Sequence, residues 1–199
     1  MESYFTIQTP GEGLYKEKGS KFLSFAFPVA SEEAIREKIQ EIRTKFHDAR
    51  HYCYAYVLGE EGLVYKANDD GEPNHSAGDP ILRQIRSKGL TDTLVIVIRY
   101  FGGTKLGVSG LVNAYRTAAQ EALNTARSVE ILITLRLTLR FPYETTNQVM
   151  KLIKHFKIKI IEQTFLDDCT ITGRIQPKHL PALQDKSKLI RELHVSIDD

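Results

Sequence analysis

The segment "TLVIVIRY", Thr93 to Tyr100, constrains the fold more than any other part of this chain. It is almost unbroken apolar, and a strand of that texture is stable with both of its faces covered. The rest of the chain must therefore supply layers on both sides of it. The sequence after the strand narrows the choice. "FGGTKLGVSG" places Gly102, Gly103, Gly107 and Gly110 within nine residues. Beyond it Leu111, Tyr115, Ala118, Ala122 and Ala126 form an apolar stripe, which predicts a helix from about Leu111 to Ala126.

Further strands are expected at Tyr4 to Thr9, Lys21 to Val29, "HYCYAYVL" and "LVYKAN", with "EGLYKEKGS" as turn and "GEEG" as a hairpin loop. Ser31 is a good N-cap, and Glu32 and Glu33 suit the positive end of a helix dipole. Ile35, Ile39, Ile42 and Phe46 then mark one helical face. In "DDGEPNHSAGDPILRQI", Asp79 is expected to cap a short helix with Pro80 in its first turn.

From Ser128 the texture changes. "EILITLRLTLRF" alternates apolar and polar residues, as a sheet with one wet face does. "YETTNQVMKLIKHF" reads as a helix, "KIKIIEQTF" and "CTITGRI" as strands joined near "LDD", "KHLPALQDKSKLIREL" as a helix and "HVSI" as a last strand. That order is the ferredoxin-like βαββαβ motif. Two domains are expected, residues 1–128 and 129–199.

Composition bounds the function. The 27 basic and 25 acidic side chains leave a net charge of +2, without the excess of a histone-like binder. Any nucleic-acid affinity must come from local patches. No apolar run reaches the ~18 residues that suggest a membrane span. "MESYFTIQTP" lacks a leader pattern, and Cys53 and Cys169 have no paired spacing, so a cytoplasmic location is expected.

The glycine loop fails two nucleotide motifs. Gly102 and Gly107 are spaced as in a Walker A loop, but Val108 stands where its lysine belongs. G-x-G-x-x-G is absent as well. The general physics survives, because a helix start after a strand exposes unpaired N–H groups at the positive end of the dipole. Arg99, Lys105 and Ser109 flank those amides, and with Gly102, Gly103, Gly107 and Gly110 they make a candidate anion or nucleic-acid site. The alternative is that the glycines only permit positive φ and close packing.

Four other clusters admit similar pairs of readings. Asp70, Glu72, His75 and Asp79, with Asp69, form an acidic loop suited to a metal or to acid–base work, or to turn chemistry alone. His47, His51 and Cys53 offer zinc ligands without a second pair, and nothing near Cys53 lowers a thiol pKa. Lys16, Lys18 and Lys21 around "KGSKF" suit an RNA backbone or are solvated lysines at a strand start. Lys151, Lys154, Lys157 and Lys159 make a second basic cluster, or serve to stabilise the dipole at a helix end. No catalytic residue, metal or cofactor is assigned.

"DGEPNHSAGDPIL" and "RYFGGTKLGVSGLVNAY", with "KGSKF" before them, resemble the IMPACT family. The first domain is then similar to domain 2 of ribosomal protein S5, an α/β sandwich, and the second to the last domain of elongation factor G. The chain as a whole would be α+β. Eukaryotic members are linked to control of translation through a stress kinase pathway, and the S5-like fold is shared with small-molecule kinases. Asn74-His75 replaces a common Ser-Gly, Ser109 a glycine and Asn113 a common basic residue.

The resemblance and the glycine loop together imply a non-enzymatic, translation-associated regulator that binds RNA, a ribonucleoprotein or the ribosome, with Lys18 and Lys21 extending the basic track. One alternative is a phosphoryl-transfer or hydrolytic enzyme using the Gly102–Gly110 loop, with Asp70 or Glu72 serving Mg²⁺ or a proton. Another is a protein-interaction module that contacts a translation factor.

Overall fold

In the computed structural model, Thr93–Tyr100 is the middle strand of a five-stranded antiparallel sheet. Residues 2–166 and 168–198 are described. The chain is an α+β protein that divides into two units, Ser3–Ile131 and the residues from Leu132 onward together with Glu2.

The first unit runs β1 (Ser3–Thr9), β2 (Gly11–Glu17), β3 (Ser20–Pro28), α1 (Glu32–Lys45), β4 (His51–Leu58), β5 (Val64–Asn68), α2 (Gly78–Ser87), β6 (Thr93–Tyr100), α3 (Gly107–Thr125) and β7 (Arg127–Leu132). The large sheet has the order β2-β3-β6-β4-β5, while β1 pairs with β7 in a separate ribbon. Alternation along β6 sorts two cores. Leu94, Ile96 and Ile98 face α1, where Ile35 and Ile42 are buried, and Val95 and Val97 face α2 and α3 with Ile81, Ile85 and Tyr115. Burying one such aliphatic side chain contributes about 1.5–3 kcal/mol, so each layer is held mainly by its apolar stripe. Ser31 caps α1 as expected, its Oγ accepting from Ala34 N at 3.2 Å.

Two local expectations change. "EGLYKEKGS" contains a full strand rather than a turn alone: β2 pairs with β3 from Gly11↔Ala26 to Glu17↔Ser20. Its glycines mask the strand signal and serve packing, since a Cβ on Gly11 would lie 2.1 Å from the carbonyl oxygen of Ala122 in α3. Helix α3 also begins one turn earlier than Leu111, at Gly107. The buried Leu106 anchors that turn, so Gly107 and Gly110 belong to the helix and not to the loop before it.

The second unit runs β8 (Leu135–Pro142), a 3₁₀ turn Tyr143–Thr145, α4 (Thr146–His155), β9 (Lys159–Thr164), β10 (Asp168–Ile175), a 3₁₀ turn Pro177–His179, α5 (Leu180–Ser187) and β11 (His194–Asp198). Its sheet order β11-β8-β10-β9 is that of the ferredoxin-like motif. Leu137, Leu139, Phe141, Ile171 and Ile175 meet Val149, Leu152, Ile153 and Leu183 in one core. The turn expected near "LDD" includes Asp167, which lies outside the described residues. The last helix is half its expected length. After Ser187 the chain tightens into i→i+3 turns, Leu189 N to Lys186 O and Ile190 N to Ser187 O, which carry Ile190 and Leu193 onto the core.

Candidate functional site

Arg99 shares the parity of Val95 and Val97, so its side chain enters the α2/α3 face at the end of β6. There Nη1 donates to Glu72 Oε1 at 2.7 Å, and Tyr115 Oη donates to the same oxygen at 2.8 Å. Arg99 and Glu72 are both only 8% exposed, and the Arg99 Nε has no hydrogen-bond partner among the described residues. The guanidinium carbon lies 5.6 Å from the Phe22 ring centroid and 5.5 Å from that of Phe101. A buried charge needs such pairing, because desolvation costs several kcal/mol per ion. The acidic loop and the strand leading into the glycine loop thus meet in one buried polar cluster.

Arg99 therefore serves the interior and not the surface anion contact that its place before the glycine loop suggests. Tyr115, seen in sequence only as part of an apolar stripe, is the residue of the cluster that pattern alone concealed. Its hydroxyl is the missing signal: a buried tyrosine needs a polar partner. Burial first, then the adjacent Cys53 and Glu72, pushes its ionisation far above the ordinary tyrosine range. Burial likewise pushes the Cys53 thiol up, and Cys53 Sγ donates to Asp69 O at 2.9 Å.

The other acidic residues organise the loop. Asp69, not Asp79, supplies the carboxylate at the start of α2: Oδ1 accepts from Ala77 N at 2.9 Å and Gly78 N at 2.8 Å, and Oδ2 from His75 N at 2.9 Å. Asp79 is already inside the first turn and bonds His75 Nδ1 at 2.7 Å. Sequence spacing favoured Asp79 because a cap from nine residues away leaves no local pattern. His75 stands at φ +64°, the left-handed region that favours glycine. The Asp70 carboxylate accepts from Arg43 at 2.8 Å and from Tyr52 N at 2.7 Å, while its carbonyl meets His51 Nδ1 at 2.9 Å. No group of three His, Cys, Asp or Glu side chains arranged to hold a metal occurs among the described residues.

On the other side of Arg99 the glycine loop is open. Gly102, Gly103, Lys105, Gly107 and Ser109 are exposed, and Gly110 is partly covered. Among the described residues the amides of Gly107, Val108 and Ser109 make no hydrogen bond, and no side chain caps α3. Ser109 lies in the first helical turn. Asn113, one turn on, accepts from Arg116 at 2.7 Å.

The lysine turn is brought against this loop. Lys18 (φ +45°) and Gly19 (φ +80°) form the two-residue hairpin turn between β2 and β3, with both central residues left-handed as a type I′ turn requires. Gly102 N donates to Ser20 Oγ at 3.1 Å. A Cβ on Gly102 would fall 1.9 Å from the carbonyl carbon of Gly19, so only glycine permits this approach. Lys16, Lys18, Lys21 and Lys105 are exposed, and none of them has an ion-pair partner among the described residues. The three sequence segments that carried the resemblance therefore converge at one end of the sheet.

Comparison with known proteins gives these segments a lineage. Residues 18–123 match the model of the Impact N-terminal domain. The chain is 42% identical over 130 residues to the IMPACT family member YvyE of Bacillus subtilis, a match spanning 65% of this chain but only 60% of that protein. An IMPACT family member of Thermus thermophilus is 36% identical over 174 residues, 86% of this chain and 94% of the relative. YigZ of Escherichia coli, also an IMPACT family member, is 30% identical over 83% of this chain and 82% of its own. A crystal structure of a hypothetical protein superimposes with a TM-score of 0.72 at 26% identity, covering 100% of this chain and 98% of that one. On the matched residues 18–123 and the relatives covered over most of their length, the chain belongs to the IMPACT family.

Proposed function

We propose that this protein is a non-enzymatic, translation-associated factor that binds RNA or a ribonucleoprotein through the end of the sheet where the lysine turn meets the glycine loop. The Gly19–Gly102 backbone contact carries the reading, because it sets Lys18 and Lys21 beside a loop that ends in open amides and Lys105. Amides at a helix start favour negative charge, and ammonium groups add a salt-dependent attraction to phosphates. The link to translation rests on what the resemblance implies for the family. A phosphoryl-transfer reading receives less support, since the Asp70 and Glu72 carboxylates are already engaged by Arg43 and Arg99.

Fluorescence anisotropy with labelled single-stranded and structured RNA, from low to physiological salt, tests it. The wild type should bind with an affinity that falls as salt rises. Lys105→Ala should lower the log–log salt slope by about 0.7–0.9, the contribution of one phosphate contact. Absence of binding at low salt, or an unchanged slope, removes the reading.

A further inference from the structure

The α1 helix leaves one corner of the large sheet uncovered, and the side chains there differ from those of a solvated strand edge. Register places Lys16, Lys21 and Tyr100 in one row across β2, β3 and β6, with Leu14 and Leu23 in the row behind. Phe46, at the end of α1, and Phe101, just past β6, complete a groove of about 570 Å³. That size lies within the range of small-ligand clefts.

Three observations point to its occupant. Lys16 and Lys21 are directly opposed across the two strands, and like charges so placed destabilise a sheet. Neither lysine forms an ion pair among the described residues; of the nearby carboxylates, Glu17 accepts from Tyr15 Oη, at 3.2 Å, and Asp48 accepts from Tyr100 Oη, at 2.7 Å. The row thus presents two ammonium groups that no carboxylate pairs directly, with the Asp48 charge held at its Tyr100 end. The third observation is Phe101, which is 56% exposed although it lies against the Arg99 guanidinium. Arg99 is in turn held by Glu72, and Glu72 by Tyr115. An aromatic ring anchored from behind and bare in front is a platform for a flat apolar partner, at little cost in side-chain ordering.

From this we infer that the groove takes single-stranded nucleic acid, with an unpaired base stacked on Phe101 and its backbone phosphate between Lys16 and Lys21. The inference rests on the RNA-binding reading and narrows it. A duplex keeps its bases paired and stacked internally, whereas a single strand offers both a π-face and a phosphate within one nucleotide. Lys21 then belongs to the groove, and Lys105 to the separate helix-start contact.

The chain contains no tryptophan, so Phe101→Trp places a single indole, excited selectively at the red edge of its absorption, at the platform. A short oligouridylate titrated into that variant at low salt should quench its emission, while a duplex of equal length should not. In anisotropy with the same oligouridylate, Phe101→Ala should weaken binding by at least about fivefold, the smaller end of a lost base stack. The Lys16→Ala/Lys21→Ala pair should weaken it further and reduce the salt slope by about 0.7. All three substituted side chains are exposed, and circular dichroism verifies the folding of the variants. If Phe101→Ala binds like the wild type and Phe101→Trp emission does not change, the groove is overturned, even where Lys105→Ala still weakens binding and the broader reading stands. If no RNA binds the wild type, both fall together.

Discussion

Arg99 and Glu72 are joined at 2.7 Å inside the first unit, although 27 residues separate them in sequence. The pair ties the acidic loop to the last strand before the glycine loop. Tyr115 adds a second donor to the same carboxylate oxygen, so a residue from α3 completes the tie. The open loop is therefore mounted on a buried, hydrogen-bonded support.

That support should be costly to break from one side. Glu72→Ala leaves the Arg99 guanidinium buried without its counter-charge and is expected to cost about 3–5 kcal/mol. Tyr115→Phe removes one hydrogen bond and should cost only about 1 kcal/mol. Urea denaturation of the three proteins measures both. Equal losses would show that the carboxylate is not held as described.

The loop contact makes a prediction about glycines in adjacent positions. Gly102→Ala drives a methyl into the Gly19 backbone and should cost about 3 kcal/mol, the upper end of overpacking. Gly103 faces open space at φ +86°, so Gly103→Ala pays only for a left-handed alanine, about 1–2 kcal/mol. Thermal denaturation should rank them in that order.

Asp69 holds three amides near the start of α2. Asp69→Ala strands all of them, and charge-assisted hydrogen bonds are worth about 1.5–3 kcal/mol each before compensation by water. A loss of about 2–4 kcal/mol is expected in urea denaturation, with amide exchange fastest at Ala77 and Gly78. Asp79→Ala, whose partner is the exposed His75, should change stability by less than about 1 kcal/mol.

Tyr100 should titrate late. Burial, reinforced by the hydrogen bond to Asp48, raises its pKa from 10.0 to about 12. A folded-state value above the unfolded one means that its contribution to stability is complete below pH 10 and is lost as pH rises from 10 toward 12. The difference in phenolate absorbance between wild type and Tyr100→Phe isolates this group. In Asp48→Asn the midpoint should move only part of the way back to 10, since burial is the larger cause.

Both cysteines are buried, and burial together with nearby carboxylates disfavours the Cys53 thiolate. An aromatic disulfide reagent should react with the native protein at least about a hundredfold more slowly than with a free thiol, and with both cysteines after unfolding. Rapid native labelling of Cys53 would contradict its placement.

How far residues disclose this protein depends on the range of the interactions involved. The apolar run Thr93–Tyr100, the Ser31 cap and the alternation after Ser128 declare themselves, because strand period, capping and helical stripes act over a few residues. β2 stayed hidden, since Gly11 and Gly13 weaken a strand signal and make sense only beside α3. The true cap of α2, Asp69, reaches nine residues forward, and the Glu72–Arg99–Tyr115 cluster joins three separate elements.

Sequence alone determined the layered first unit, the ferredoxin-like order of the second, and the three motifs that mark the family. Tertiary structure alone decided that Arg99 turns inward, that Gly19 and Gly102 touch, and that Lys16, Lys21 and Tyr100 share a row. Local patterns follow from each residue's own backbone and neighbours. Which distant groups meet is set by sheet register and helix packing, energies that exist only once the chain has folded.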